Sequence, residues 1–219
     1  MNIIQKIAIS TIALGSLAAP MSALASSPHG DRAAARNERI CSRIDMRQQK
    51  LIDRFNFDKP WQVNRFQSLV NRENARACTT TQTSFGYLRD FGNFESLTAA
   101  LKYTGLDATL NGAGTFTVFA PTDNAFAKLP PSLVNSLLTD PAQKTALTNI
   151  LLYHVVSGAA VNASTAATLT EATMANGAKV MIKQEAGNLF INDSKVVLYD
   201  IKTTNGIIHV LDAVLVPSS

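Results

Sequence analysis

The sequence predicts an α+β protein: packed helices and a β-sandwich-like core, preceded by a helical hairpin. Three observations predict it. Apolar residues recur at helical spacing up to about residue 151, short β-branched runs separated by Asn-Gly-type turns follow Gly158, and every arginine lies before residue 90. Helices first and strands after is the α+β order. With 219 residues, 46% hydrophobic and 16% charged, the chain is neither disordered nor fibrous, and its length permits one domain with an appendage.

The first element is a leader. Lys6 precedes an uncharged run over residues 7–19, then Pro20 and the sequence Ala23-Leu24-Ala25. A basic start, a short apolar stretch and an A-x-A site predict a secretory signal peptide over residues 1–25, cleaved after Ala25. The run is shorter than the ~20 residues that a spanning helix needs. The expected location is secreted or periplasmic.

Residues 26–83 predict a hairpin of two helices. Ile40, Ile44, Leu51, Ile52 and Phe55 form one apolar stripe, with Arg36, Arg39, Arg43, Arg47 and Arg54 largely between them. Asp58 and Pro60 open a second helix, continued by Phe66, Leu69, Val70, Glu73 and Ala77. An exported chain with two cysteines predicts a Cys41–Cys78 disulfide stapling the open end of the hairpin. Such a loop closure is worth roughly 4 kcal/mol. The hairpin has little core of its own, so it is also expected to pack on the rest of the protein.

The domain follows over residues 84–219. Phe94, Leu97 and Leu101 share a helical face that Gly105 ends, and residues 115–120 read as a strand. Thr122 or Asp123 caps a short helix carrying Ala125 and Phe126. Leu133, Val134, Leu137 and Leu138 mark another helix, and Pro141 opens one with Leu147, Ile150 and Leu151 inward. Strands are expected at residues 154–156, 180–182, 189–191, 196–199, 207–210 and 214–216. Turns are expected at Asn176-Gly177, Gly187-Asn188 and Asn205-Gly206.

The net charge of +4 divides unevenly. Residues 26–92 hold twelve basic and seven acidic side chains, whereas residues 93–219 hold seven lysines, no arginine and nine acids. The basic surplus therefore belongs to the hairpin. Its arginines are either a solvated helix face or an electrostatic surface for an acidic polymer or anionic lipid. Nucleic-acid readout is the weakest of these, because no reading motif is present.

Three segments carry a specific resemblance. Residues 117–126 (TVFAPTDNAF) resemble the first signature of the fasciclin-domain family, residues 151–156 (LLYHVV) its Tyr-His motif, and residues 205–212 (NGIIHVLD) its closing signature. The resemblance covers roughly residues 84–217; residues 26–83 have no counterpart in it. It implies an extracellular adhesion or binding module rather than an enzyme, with a surface or matrix protein or polysaccharide as partner. It also singles out Tyr153 and His154, whose motif is linked to integrin binding in animal members, and the pair Asp200 and Ile201.

The residues argue for no other chemistry. His29, His154 and His209 lack metal-ligand spacing, so no metal or cofactor is expected. No nucleophile elbow, paired-carboxylate pattern or phosphate loop occurs. His154 and His209 sit in apolar strand sequence, which argues for core positions; a hydrolase would need one of them exposed beside a Ser or Asp. Asn162 and Asn192 begin glycosylation sequons that matter only in a eukaryotic source. A further reading is a small or lipid-like ligand held between hairpin and domain.

Overall fold

The computed structural model describes residue 57, residues 59–75 and residues 82–217. The expected leader, the first hairpin helix with Arg36, Arg39, Arg43, Arg47 and Arg54, and the Cys41–Cys78 staple all lie outside the described residues, so the staple is not among what the structure shows.

Seven strands form one mixed sheet in the order β2-β1-β7-β6-β5-β4-β3. They are β1 (Phe116–Pro121), β2 (Val155–Ser157), β3 (Glu171–Thr173), β4 (Lys179–Glu185), β5 (Asn188–Ile191), β6 (Ser194–Thr203) and β7 (Gly206–Leu211). Only β1 and β7 run parallel, pairing Phe116 with Gly206 through Pro121 with Leu211. All six residues of β1 are buried, which fits a central strand covered on both faces.

The sandwich-like core expected from the sequence arises within this single sheet. Strand β6 shifts register between Val196 and Leu198 and again between Leu198 and Ile201, with Asp200 at a φ of 60° between them. Such bulges bend a strand and increase its twist. Beyond the bend, Val180, Ile182, Leu189 and Ile191 of β4 and β5 join Phe119 of β1 and Leu211 of β7 in one hydrophobic cluster. The Ala175 N–H also donates to the Val155 carbonyl at 2.7 Å, bringing the β3–β4 turn back to β2.

Helices cover the other face, save the short one at Ala163–Ala166, whose Ala166 packs in the Phe119 cluster. They are α1 (Pro60–Ala75), α2 (Ser84–Phe91), α3 (Glu95–Thr104), α4 (Leu106–Asn111), α5 (Asp123–Ala127), α6 (Pro131–Thr139), α7 (Lys144–Leu152) and α8 (Ala163–Ala166), with a 3-10 turn at Pro141–Gln143 before α7. Phe66 and Val70 of α1, Phe91 of α2 and Leu97 of α3 bury against Val118, Leu198 and Ile208 of the sheet. Phe91 is the hub of an aromatic group, 5.3 Å from Phe66 and 5.4 Å from Phe94 between ring centroids. The helix expected as the second of the hairpin thus packs on the domain.

Several local expectations hold. Gly105 ends α3 at a φ of 82°, and Thr122 caps α5 by accepting from the Ala125 N–H. Others are corrected. Residues 214–216 form no strand: the Leu215 N–H goes to a histidine ring instead of a ladder. The β6–β7 turn is Thr204-Asn205, and Gly206 is already in β7. A Cβ there would lie 2.1 Å from the Phe116 carbonyl oxygen, so glycine is required by close backbone approach to β1. The β4–β5 turn falls on Ala186-Gly187, one residue earlier than expected. The sequence reading misses α2, α4, α8 and β3, short elements with little room for a periodic pattern.

Candidate functional site

Tyr153 and His154 follow α7, where its last turn hands the chain to β2. Both are interior, 3% and 2% exposed. The Tyr153 hydroxyl donates to the Lys179 carbonyl at 2.9 Å and accepts from Asn192 Nδ2 at 3.1 Å, so it joins the start of β4 to the β5–β6 turn. His154 Nδ1 lies 2.8 Å from the Ile150 carbonyl, which can only accept, so Nδ1 carries the proton. Nε2 is then bare and accepts the Leu215 N–H at 2.9 Å. Burial lowers the imidazole pKa from 6.5 to about 4, with the Ile150 bond opposing it.

His209 is the opposite tautomer. Its Nε2–H donates to the Val161 carbonyl at 2.8 Å, and Nδ1 faces the Asp200 N–H at 3.4 Å. The ring is fully buried and stacks on Phe119, 5.6 Å between centroids. Desolvation lowers its pKa, against the Val161 bond and the charge of Asp200. A hydrolase reading needs an exposed imidazole; both rings are buried with both nitrogens engaged, and that reading falls.

Asp200 and Ile201 occupy the β6 bulge. Ile201 is 3% exposed and faces the helices, while Asp200 is half-buried. The Asp200 carboxylate accepts the Ala163 N–H at 2.7 Å, holding the start of α8. The backbone of the bulge is claimed by α1. Gln67 Nε2 donates to the Tyr199 carbonyl at 3.0 Å, and Gln67 Oε1 accepts the Tyr199 N–H at 2.9 Å. Asn74 Nδ2 donates to the Asp200 carbonyl at 2.9 Å. Where β6 loses register with β7, helix side chains therefore satisfy its backbone.

The structure does not gather the four motif residues into one exposed site. It places them at two separate junctions, with Tyr153, His154 and Ile201 interior and Asp200 half-buried. What it opens instead is a cleft of about 690 Å³ between α1, α8, the β4–β5 turn and β6. Asn64, Gln184, Lys128, Lys195, Tyr199 and Asp212 stand among its lining residues beside Phe57, Val63, Leu189, Val196 and Val197, so polar and apolar side chains share its surface. The sequence carries no local signal for this cleft, because its walls come from segments spread between residues 57 and 212. Among the described residues no group of three or more potential metal ligands is assembled, and no helix is long and apolar enough to cross a membrane.

Comparison with known proteins places this geometry. Residues 92–217 match the family model described as Fasciclin domain. Protein sll1483 of Synechocystis is 41% identical over 126 residues, covering 57% of this chain and 67% of its own length. Immunogenic protein MPB70 of Mycobacterium bovis is 38% identical over 127 residues, 56% of this chain and 62% of its own length. Transforming growth factor-beta-induced protein ig-h3 of Oryctolagus cuniculus is 34% identical over 135 residues, 62% of this chain but 19% of that protein. Among solved structures, a FAS1 domain pair from the insect cell adhesion molecule fasciclin I matches with a TM-score of 0.57 at 22% identity, covering 62% of this chain and 51% of the pair. With more than half its length matched, the chain belongs to the fasciclin domain family.

Proposed function

We propose that this protein is an exported adhesion or binding protein, secreted or periplasmic, which recognises a cell-surface or matrix polymer or protein through its fasciclin domain. The observation that carries the reading is the family match together with a fold shared with a domain pair of a cell adhesion molecule. The leader-like start of the sequence supports export. The engagement of both imidazoles in the fold supports a binding role over a catalytic one. Within this reading Asp200 is the motif residue best placed to meet a partner, since Tyr153, His154 and Ile201 are interior. Arg36, Arg39, Arg43, Arg47 and Arg54 would add attraction for an acidic polymer or anionic lipid.

The test is a binding screen of the protein against immobilised matrix proteins, polysaccharides and lipids at two salt concentrations. Retention on at least one surface is expected, and no retention on any of them would sink the reading. A salt-sensitive part that vanishes when the five arginines are replaced by glutamine would belong to them. Amino-terminal sequencing of exported protein is expected to begin at Ser26.

A further inference from the structure

The cleft between α1 and the sheet has side chains that the fold does not use. Asn64 on α1 and Gln184 on β4 line it, and their amide groups make no hydrogen bond among the described residues. Lys195 on β6 and Lys128 after α5 also line it, and neither has an ion-pair partner there. Lys128 Nζ donates to the backbone carbonyl of Asp212 at 2.7 Å, while the Asp212 carboxylate accepts the Lys195 N–H at 2.9 Å. The one acid in the cleft is thus engaged with backbone; Lys195 has no partner for its ammonium among the described residues, and Lys128 spends one of its three donors on the Asp212 carbonyl. Tyr199 adds an exposed ring to the wall. Trp61 is 60% exposed on the same helix as Asn64, next in sequence to Pro60 and one turn before Asn64, which both line the cleft. A cleft with a few convergent polar groups set beside apolar surface is the usual setting of a ligand site.

The geometry points to a saccharide site, and we infer that the cleft takes a segment of an acidic polysaccharide. The Asn64 and Gln184 amides meet sugar hydroxyls, the ring of Tyr199 lies against a sugar face, and Lys195 and Lys128 meet carboxylates on the polymer. A peptide strand fits less well. The floor strand β6 already pairs with β5 and β7, and Gln67 takes the N–H and C=O of Tyr199, so no backbone edge is open for strand addition. The inference rests on the polymer-binding reading above and names the polymer class and the surface that meets it. Because α1 lies before the matched residues 92–217, one wall of the site comes from outside the family domain.

Trp61 is the only tryptophan in the chain, so its emission reports on the helix that walls the cleft. Titration of the full chain with polygalacturonate is expected to change that emission saturably and to weaken as salt rises. Uncharged dextran is expected to bind about tenfold more weakly. Lys195→Gln and Gln184→Ala are each expected to weaken polygalacturonate binding about fivefold while leaving thermal unfolding unchanged, because the fold uses neither side-chain head group. Unchanged affinity in both variants would overturn the assignment. So would polyglutamate binding as tightly as polygalacturonate, since recognition would then be charge alone. If no saccharide binds but the protein still attaches to a matrix protein in the screen above, the cleft assignment falls and the adhesion reading stands.

Discussion

At the scale of single residues, His154 and His209 use their protons to hold the fold. His154 joins the end of α7 to the segment after β7, and His209 joins β7 to the segment before α8. Each needs one bare nitrogen, so protonation breaks a bond as well as placing a charge in the interior. The folded pKa of His154 is about 4 against 6.5 unfolded, so the unfolded state binds more protons between those values. Its contribution is fully present above pH 6.5 and is lost as pH falls toward 4; the difference corresponds to about 3 kcal/mol. His209 shifts in the same direction and adds to the loss. Urea unfolding at pH 7.5, 5.5 and 4.5 is expected to show this decline, and His154→Gln to flatten it. An equal slope in the variant would show that His154 does not contribute. Asp200 gives a second test. Asp200→Ala leaves the Ala163 N–H without its acceptor and keeps a positive φ that alanine tolerates poorly, at about 1–2 kcal/mol. Asp200→Asn is expected to cost less, since asparagine supplies an acceptor and accepts left-handed backbone. The reverse order in denaturant melts would contradict the carboxylate's role at α8.

At the scale of elements, the legible features were those whose cause is local in sequence. Thr122 caps α5 three residues on, Gly105 ends α3, and the alternation of Val180/Ile182 and Leu189/Ile191 reports one buried face. The apolar flanks of His154 and His209 likewise argued for the interior. Features fixed by tertiary approach left no such mark. Asp123, a candidate cap for its own helix, instead accepts the Glu95 and Ser96 N–H groups of α3 at 3.1 and 2.8 Å. Gln67 reads as an ordinary polar helix residue until β6 lies beside it. Gly206 looks like a turn glycine and is a close-packing one. These distinctions can be measured. Asp123→Ala exposes two donors at the start of α3 and is expected to cost about 1–2 kcal/mol, more than an exposed Asp substitution usually does. Gly206→Ala puts a methyl into the Phe116 carbonyl across the parallel β1–β7 pair. It is expected to be the most damaging of these changes, at roughly 3 kcal/mol or more. A Gly206→Ala protein that melts like the parent would mean that the β1–β7 contact is looser than its geometry shows.

At the scale of the whole molecule, the folded unit begins before the family match. The matched residues start at 92, yet α1 and α2 supply Phe66, Val70, Phe85, Leu88 and Phe91 to the main core. Helix α1 also supplies the Gln67 and Asn74 bonds that satisfy the β6 bulge. Removing α1 would take away Phe66, Leu69 and Val70, each worth roughly 1.5–3 kcal/mol of burial, bare the core residues they cover, and leave bulge backbone groups to find water. That loss is a large part of the 5–15 kcal/mol by which a domain is typically stable. A chain beginning at residue 84 is therefore expected to be much less stable than one beginning at residue 57, or not to fold. One beginning at residue 92 should lose the aromatic group around Phe91 as well. The comparison is made by circular dichroism melts of the three chains beside the full protein. Equal melting temperatures for the chains from 57 and 84 would make α1 an ornament on a self-sufficient domain. It would also detach the cleft from the fold, because one of its walls would then be free to leave.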